Sequence, residues 1–418
     1  MKYSARLALF VVAVLFASIE MRAQESSAVR PRVVATANQE QQQQQPVVPT
    51  SKIPPAAPAT VGPTLPVIED PQKRTAEPIV NLTPSVIQAR ISEAQRMFKT
   101  RPKPTALTPS IEFVTVAALD RETTRTHFIT LSKETFLTKG AEVNTVTSEG
   151  MQVNLRIVRA NGVNTAMTIF TPDGKSLAPL TIEYPIERGG KYLETAYYTS
   201  AHPALLSKDL ARSGQSYVRN MLDLAAKRLR DKGVVISPQI VDVAERLCVV
   251  EHVDHERFRA ENRLALYDEI YSLFALNDLD TYRYSVSSAG AGGMVQMIPW
   301  AYNLERTRHP GVGLIPDFVV GMRNHGNALQ AMLLYMHDTW NELTATDEVK
   351  YAVGANIATP SELLAAGYNS NAAKLPGYLK RGGDNWRVLI PRETQMYLQI
   401  YKSFDSLVPM QNRFVDPR

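Results

Sequence analysis

Glu251 stands where a carboxylate is costly. Ile240, Val243, Ala244, Leu247 and Cys248 recur at the spacing of one apolar helical stripe, and Glu251 takes the next place on it. Burying a charge on such a face is unfavourable, so desolvation is expected to raise its pKa and keep the carboxyl protonated near neutrality. A protonated carboxyl in a cleft can protonate a leaving glycosidic oxygen. The same spacing also fits a helix-end Glu turned to solvent, or a buried partner of Arg246 or Arg257. Glu245, Glu256 and Glu261 compete for the acid role, but Glu245 lies off the stripe and the other two sit among charged neighbours. Asp254 is the nearest second carboxylate and reads equally as a solvated helix-end residue. His252 and His255 are three apart and do not complete His-Glu-x-x-His, so no metal ligand set and no cofactor are expected.

Three downstream segments bear on the choice. Ser287-Ser288-Ala289-Gly290-Ala291-Gly292-Gly293-Met294-Val295-Gln296-Met297-Ile298-Pro299 is the first, Ala366-Gly367-Tyr368-Asn369-Ser370 the second, and Ile390-Pro391-Arg392-Glu393-Thr394-Gln395-Met396-Tyr397 the third. In this order, after a helix ending in Glu, they resemble the motifs of the soluble lytic transglycosylases, the goose-lysozyme-like family that cuts peptidoglycan. The resemblance covers about residues 237–405. His252 stands where the family has Ser, Val295 where it has Met, and Gly367 where it has Ala. Glu251 and Gln296 are also further apart than in the family, so that residues 255–281 look inserted, as an extra helix lining the cleft.

The resemblance implies a lysozyme-like fold and a reaction run by one Glu, first as acid and then as base. The sugar's own 6-hydroxyl attacks, leaving a 1,6-anhydro product. It implies Glu251 as the catalytic residue and Ser287, Met294, Gln296, Tyr368, Asn369 and Glu393 as substrate-binding positions. Tyr368 would hydrogen-bond Glu251, and Gln296 would offer amide hydrogen bonds to an acetamido or hydroxyl group. Glu393 also fits a first-turn acid favoured by the helix dipole behind Pro391. Trp300 and Tyr302 can stack on sugars or belong to the core or its rim.

The elements that must position these residues follow from periodicity. Helices are expected over 214–232, 238–250, 262–276, 326–343, 361–367 and 391–405, with loops between, forming a mainly α, lysozyme-like domain over 203–407 and a tail over 408–418. Ser237-Pro238 is a good helix start. Upstream, IEFVTVAAL, THFITLS, MQVNLRIVRA, NTAMTIFT and LTIEYPIE alternate, with turn signals at Lys139-Gly140, Asn161-Gly162 and Pro172-Asp173-Gly174. They predict a small all-β sandwich or barrel over 108–202, a spacer or binding module.

Residues 24–107 carry a Gln run and many prolines and read as a disordered linker, with one amphipathic helix near 83–98. At the N-terminus, Lys2 and Arg6 precede the apolar run Leu7–Ile19, which fits a signal peptide over 1–23 or an uncleaved anchor. The single cysteine, Cys248, excludes a disulfide framework within the chain. A net charge of +5 suits an acidic partner. No dense basic block with interleaved aromatics points to nucleic acid.

The sequence is therefore expected to describe an exported, periplasmic enzyme acting on peptidoglycan glycan strands. The β domain is a site for an envelope partner, and membrane contact runs only through the N-terminal segment. An inactive peptidoglycan-binding or assembly scaffold with the same fold, and a lysozyme-type hydrolase, stay open beside it.

Overall fold

The computed structural model describes residues 80–101, 110–279 and 290–413. The expected export segment, most of the linker, residues 280–289 and Ser287 with them lie outside the described residues. No helix among the described residues is long and apolar enough to cross a membrane.

The expected helix near 83–98 is present as α1 (Pro84–Thr100), started by the Thr83 side chain accepting from the Val86 N–H, with Pro84 at the first position. It belongs to the folded body, not to a linker. Its face of Ile87, Ile91, Ala94 and Phe98 packs on Ala117, Leu119, Ala178 and Leu180 of the sheet below.

Among the described residues that sheet has seven strands, all paired antiparallel: β1 (Phe113–Leu119), β2 (Thr126–Ser132), β3 (Glu142–Val146), β4 (Gln152–Arg159), β5 (Ala166–Phe170), β6 (Ser176–Arg188) and β7 (Lys191–Tyr198). A single helical turn, α2 (Lys133–Phe136), follows β2. The order β2-β1-β6-β5-β4-β3 curls into a nearly closed barrel. The long strand β6 makes the curl possible. Its first residues pair with β5, and later ones pair with β1 and with β7. The two ends of the order approach each other where the Ser148 N–H donates to the Phe128 carbonyl at 2.8 Å. Alternation places Val153, Leu155 and Ile157 of β4 inside, with Ile129, Met167 and Ile169. β1 is buried on both faces because α1 covers its outer side. The strands β3 and β7 were not among the expected runs. Glu142–Val146 and Lys191–Tyr198 are polar and half-exposed, as edge strands commonly are.

The helical part begins with α3 (Lys208–Asp231), capped by Ser207. The expected helices follow as α4 (Pro238–Val250), α6 (Arg263–Leu276), α9 (His325–Thr344), α11 (Pro360–Asn369) and α14 (Arg392–Leu407). The segments between them are not only loops. They hold α5 (His255–Ala260), α7 (Pro299–Arg308), α8 (Phe318–Arg323), α10 (Asp347–Gly354), α12 (Leu375–Gly382) and α13 (Trp386–Leu389). These are short and carry too few turns for a periodic signal to stand out. Helix α4 runs through the middle of the domain, against α3, α9, α11 and α14. The expected tail is docked as far as Arg413, whose guanidinium binds Asp223, Asp242 and Glu245.

Residues 255–276 join the helical part to the barrel, and Phe274 of α6 also meets His252 edge-on. Tyr267 and Tyr271 of α6 pack on Phe404 of α14, and Gly214 of α3 lies against the Tyr271 backbone. The other side of α6 joins the barrel. Glu269 pairs with Arg159 and Arg257, and the Asn277 side chain bonds both the N–H and the carbonyl of Thr199.

Two buried histidines make this body acid-sensitive. The His202 Nδ1 accepts from the Met167 N–H at 3.2 Å, and burial followed by nearby Arg159 pushes the ring down to about 3. His325 contacts the Tyr217 hydroxyl at 2.7 Å, and burial followed by nearby His252 pushes it down to about 3 as well. Between those values and an ordinary His pKa near 6.5, the unfolded chain binds protons that the folded chain refuses. Stability is therefore fully present above about pH 6.5 and falls as the pH drops toward 3, by about 1.4 kcal/mol per pH unit for each ring. Urea midpoints measured at about pH 7.5 and about pH 5 should fall accordingly, and less steeply in His202→Gln. Equal midpoints would contradict the burial of these rings as neutral groups.

Candidate active site

Glu251 closes α4. Its backbone N–H still donates to the Leu247 carbonyl, and its φ and ψ remain helical. The apolar stripe that singled it out turns out to be broader than one face, since every residue from Ile240 to Val250 is buried. Buried from Ile240 to Val250, with its charged residues ion-paired, the helix lies inside the domain, and its end delivers Glu251 into the interior at 7% exposure.

The Tyr397 hydroxyl donates to Glu251 Oε1 at 2.7 Å. Tyr397 is wholly buried and lies one turn beyond the half-buried Glu393, so both project from the same side of α14. The contact expected from Tyr368 is thus made by Tyr397, which lies in the third segment. The Tyr368 hydroxyl instead donates to the Val295 carbonyl at 2.6 Å, and its ring meets Tyr335 edge-on. The signal that could have found Tyr397 was its i+4 spacing from Glu393 in an otherwise buried stripe.

The glycine-rich segment folds as a tight loop. The Gly292 N–H donates to the Met297 carbonyl, and Gly290, Gly293 and Gln296 have positive φ. Gly293 is obligatory there, because a Cβ would stand 2.2 Å from the Met322 carbonyl oxygen. The Gln296 amide donates to the Gly293 carbonyl at 2.8 Å, and the residue stays partly exposed. Met294 is fully buried and belongs to the core, so it is not a surface a glycan reaches in this state. His252 Nε2–H donates to the Met294 carbonyl at 2.9 Å and so ties the Glu251 helix end to this loop. The imidazole at the departing position thus has a structural task. Asn369 ends α11 and is buried. Asp254 caps α5 through the Arg257 N–H. Trp300 is 66% exposed on α7, whereas Tyr302 is buried and bonds the Ile315 carbonyl, so it is not a stacking platform.

The rival carboxylates separate by their partners. Glu245 is as buried as Glu251, contrary to its place off the stripe, and burial raises its pKa even beside Arg413 and Arg219. It is held by both guanidinium groups. Glu256 and Glu261 pair with Arg259 and Arg257. Glu305 on α7 is fully buried, and burial with neighbouring Asp338 pushes it up to about 8. It lies against His309 and Asp338 rather than at the glycine loop. Cys248 is buried, and burial raises its thiol pKa, so it is no nucleophile. A cavity of about 940 Å³ between α4, α11 and α14 has Arg246, Arg387 and Lys402 in its lining, but not Glu251.

Were Glu251 to act as a general acid, Tyr397→Phe would be expected to lower turnover about tenfold, the scale of one lost hydrogen bond, with little change in folding. Steady-state rates beside a urea titration check this. An unchanged rate would detach Tyr397 from the site. Compared with known protein families, with curated proteins and with solved structures, the chain matches none.

Proposed function

We propose that the helical part is a lysozyme-like domain and that the chain is an exported peptidoglycan lytic transglycosylase. In this reading Glu251 protonates the oxygen of the MurNAc-GlcNAc β-1,4 bond and then takes the proton of the 6-hydroxyl that closes the 1,6-anhydro ring. The observation that carries the reading is the 2.7 Å hydrogen bond from Tyr397 to a nearly buried Glu251. It joins the Glu at the end of α4 to the last of the three sequence segments that resemble the family. The His252 link to Met294 adds the glycine loop to the same place.

The remaining assignments fit around this pair. Gln296 keeps part of its surface and offers its amide oxygen, since its nitrogen is engaged by Gly293. Glu393 lies on the Tyr397 side of α14 and would meet substrate hydroxyls. Ser287 and Asn369 remain substrate-binding assignments carried by the resemblance. The barrel is the surface for an envelope partner, and the N-terminal segment directs export to the periplasm.

Low exposure of Glu251 favours a second reading, a scaffold that binds peptidoglycan without cutting it. Digestion of purified sacculi followed by mass spectrometry separates the two. Anhydro-ended muropeptides are the expected product. Reducing ends would mean a lysozyme-type hydrolase, and sacculus binding without soluble products would mean a scaffold.

A further inference from the structure

We propose that Glu305, His309 and Asp338 form a binding site for a first-row divalent cation of the Zn²⁺ class, fastening α7 to α9. One ligand atom from each of the three lies within 4.8 Å of the others. His309 Nε2 is 3.0 Å from Asp338 Oδ2 and 3.7 Å from Glu305 Oε2. An ion held at about 2.0–2.2 Å by tetrahedral ligands sets those ligands about 3.4 Å apart, midway between these separations.

The second observation is Glu305 itself. It is 0% exposed, and neither carboxylate oxygen has a hydrogen-bond partner among the described residues. A buried carboxylate without a donor is unusual, because its desolvation is left uncompensated. Here Oε2 faces the His309 imidazole at 3.7 Å, and one ligand oxygen of Asp338 lies within 4.8 Å of the pair. The positive group already nearby, Arg308, contacts Asp338 at 3.5 Å and Glu342 at 2.9 Å; it is felt by Glu305 through the field but makes no ion pair with it among the described residues.

The backbone suits the arrangement. Glu305 is in the last turns of α7, and His309 caps that helix by donating its N–H to the Glu305 carbonyl. Residues four apart share a helix face, and Asp338 of α9 meets them from the facing helix. Two carboxylates and one imidazole match zinc, manganese or iron better than calcium or magnesium, which favour all-oxygen shells. The imidazole would bind through the lone pair of Nε2, the atom now 3.0 Å from Asp338 Oδ2. The role would be structural. Helix α7 starts at Pro299, three residues after Gln296, so a fixed α7 fixes the exit of the glycine loop.

The test is calorimetric titration of the untagged, chelator-treated full chain with ZnSO₄, with Co²⁺ absorption as a second readout. The expected result is one Zn²⁺ per chain, a rise in Tm on binding, and a visible Co²⁺ band. Glu305→Gln keeps the shape of the buried side chain and should weaken Zn²⁺ binding at least tenfold. Asp338→Asn should do the same if the first variant folds poorly. No saturable binding to the wild type, or equal binding by wild type and a folded variant, would overturn the proposal. Because no glycan is involved, the outcome stands apart from the cleavage reading.

Discussion

Glu251→Gln is expected to reduce glycan cleavage by about a thousandfold or more while leaving the domain folded. General acid–base catalysis contributes about 10²–10⁴ when one proton transfer is lost. In the proposed reaction the same carboxyl serves twice, so the loss belongs at the upper part of that range, about 4 kcal/mol of barrier. Gln preserves the shape and an oxygen able to accept from Tyr397, so the 2.7 Å contact has a successor. The urea midpoint should therefore move by less than about 1 kcal/mol equivalent. Glu245→Gln is the matching control. It strips one carboxylate from Arg219 and Arg413 and should cost about 1–2 kcal/mol of stability, because Arg413 keeps Asp223 and Asp242 as partners. Its activity per folded molecule should stay near that of the wild type. The reverse pattern, with Glu245 silencing cleavage and Glu251 only stability, would move the acid by almost two helical turns.

The acid candidate was legible because α4 is punctuated. Ser237-Pro238 starts it and an apolar run fills it, so the first carboxylate at its end stands out. Exclusion of Glu245 was not legible. Periodicity reports which face of a helix is apolar, but a helix surrounded by α3, α9, α11 and α14 has no outer face. Arg413, almost at the far end of the chain, neutralises Glu245, and no local pattern signals that pairing. The exchange of Tyr368 for Tyr397 has the same origin. Both tyrosines are buried and both bond an oxygen of the site region, and the choice depends on how α11 and α14 cross α4. Met294 shows the limit of motif transfer, since a residue inside a motif can serve the core beneath the groove.

Fold class was written in the two periods, alternation before about residue 200 and helical spacing after it. The boundary between them was less visible. Helix α1 covers the outer side of the barrel, and its partners Leu205, Leu210, Ala275 and Leu276 come from the helical half. Barrel and helices therefore share a core, which separate domain ranges do not convey. The segment read as an insertion lining the cleft is the main join, with Glu269 on Arg159 and Asn277 on Thr199. Its helix α6 carries Leu266, Ile270 and Phe274 as well as two buried tyrosines, so apolar surface is turned toward several neighbours at once.

That join makes Gly214→Ala the most damaging small substitution expected. Helices α3 and α6 touch backbone to backbone at this point. A Cβ on Gly214 would lie 1.8 Å from the Tyr271 carbonyl oxygen and 2.5 Å from its carbonyl carbon. Side chains can rotate away from an added methyl, but a carbonyl in the middle of a helix cannot without breaking its hydrogen bond. The helices must separate, and packing across their whole contact loosens. A loss of about 3 kcal/mol is expected, at the upper end of overpacking effects. In a domain of this size it lowers Tm by about 10 °C. Gly354→Ala in α10 is the control, because nothing lies within 4 Å of its added Cβ and its φ is ordinary, so its Tm should hold or rise slightly. The displacement also has a path to the site. Phe274 on α6 meets His252 edge-on with ring centres 5.6 Å apart, and His252, the residue after Glu251, holds the Met294 carbonyl. Gly214→Ala should therefore lower sacculus digestion even at temperatures where the chain remains folded. A Tm equal to wild type would show that α3 and α6 do not approach this closely.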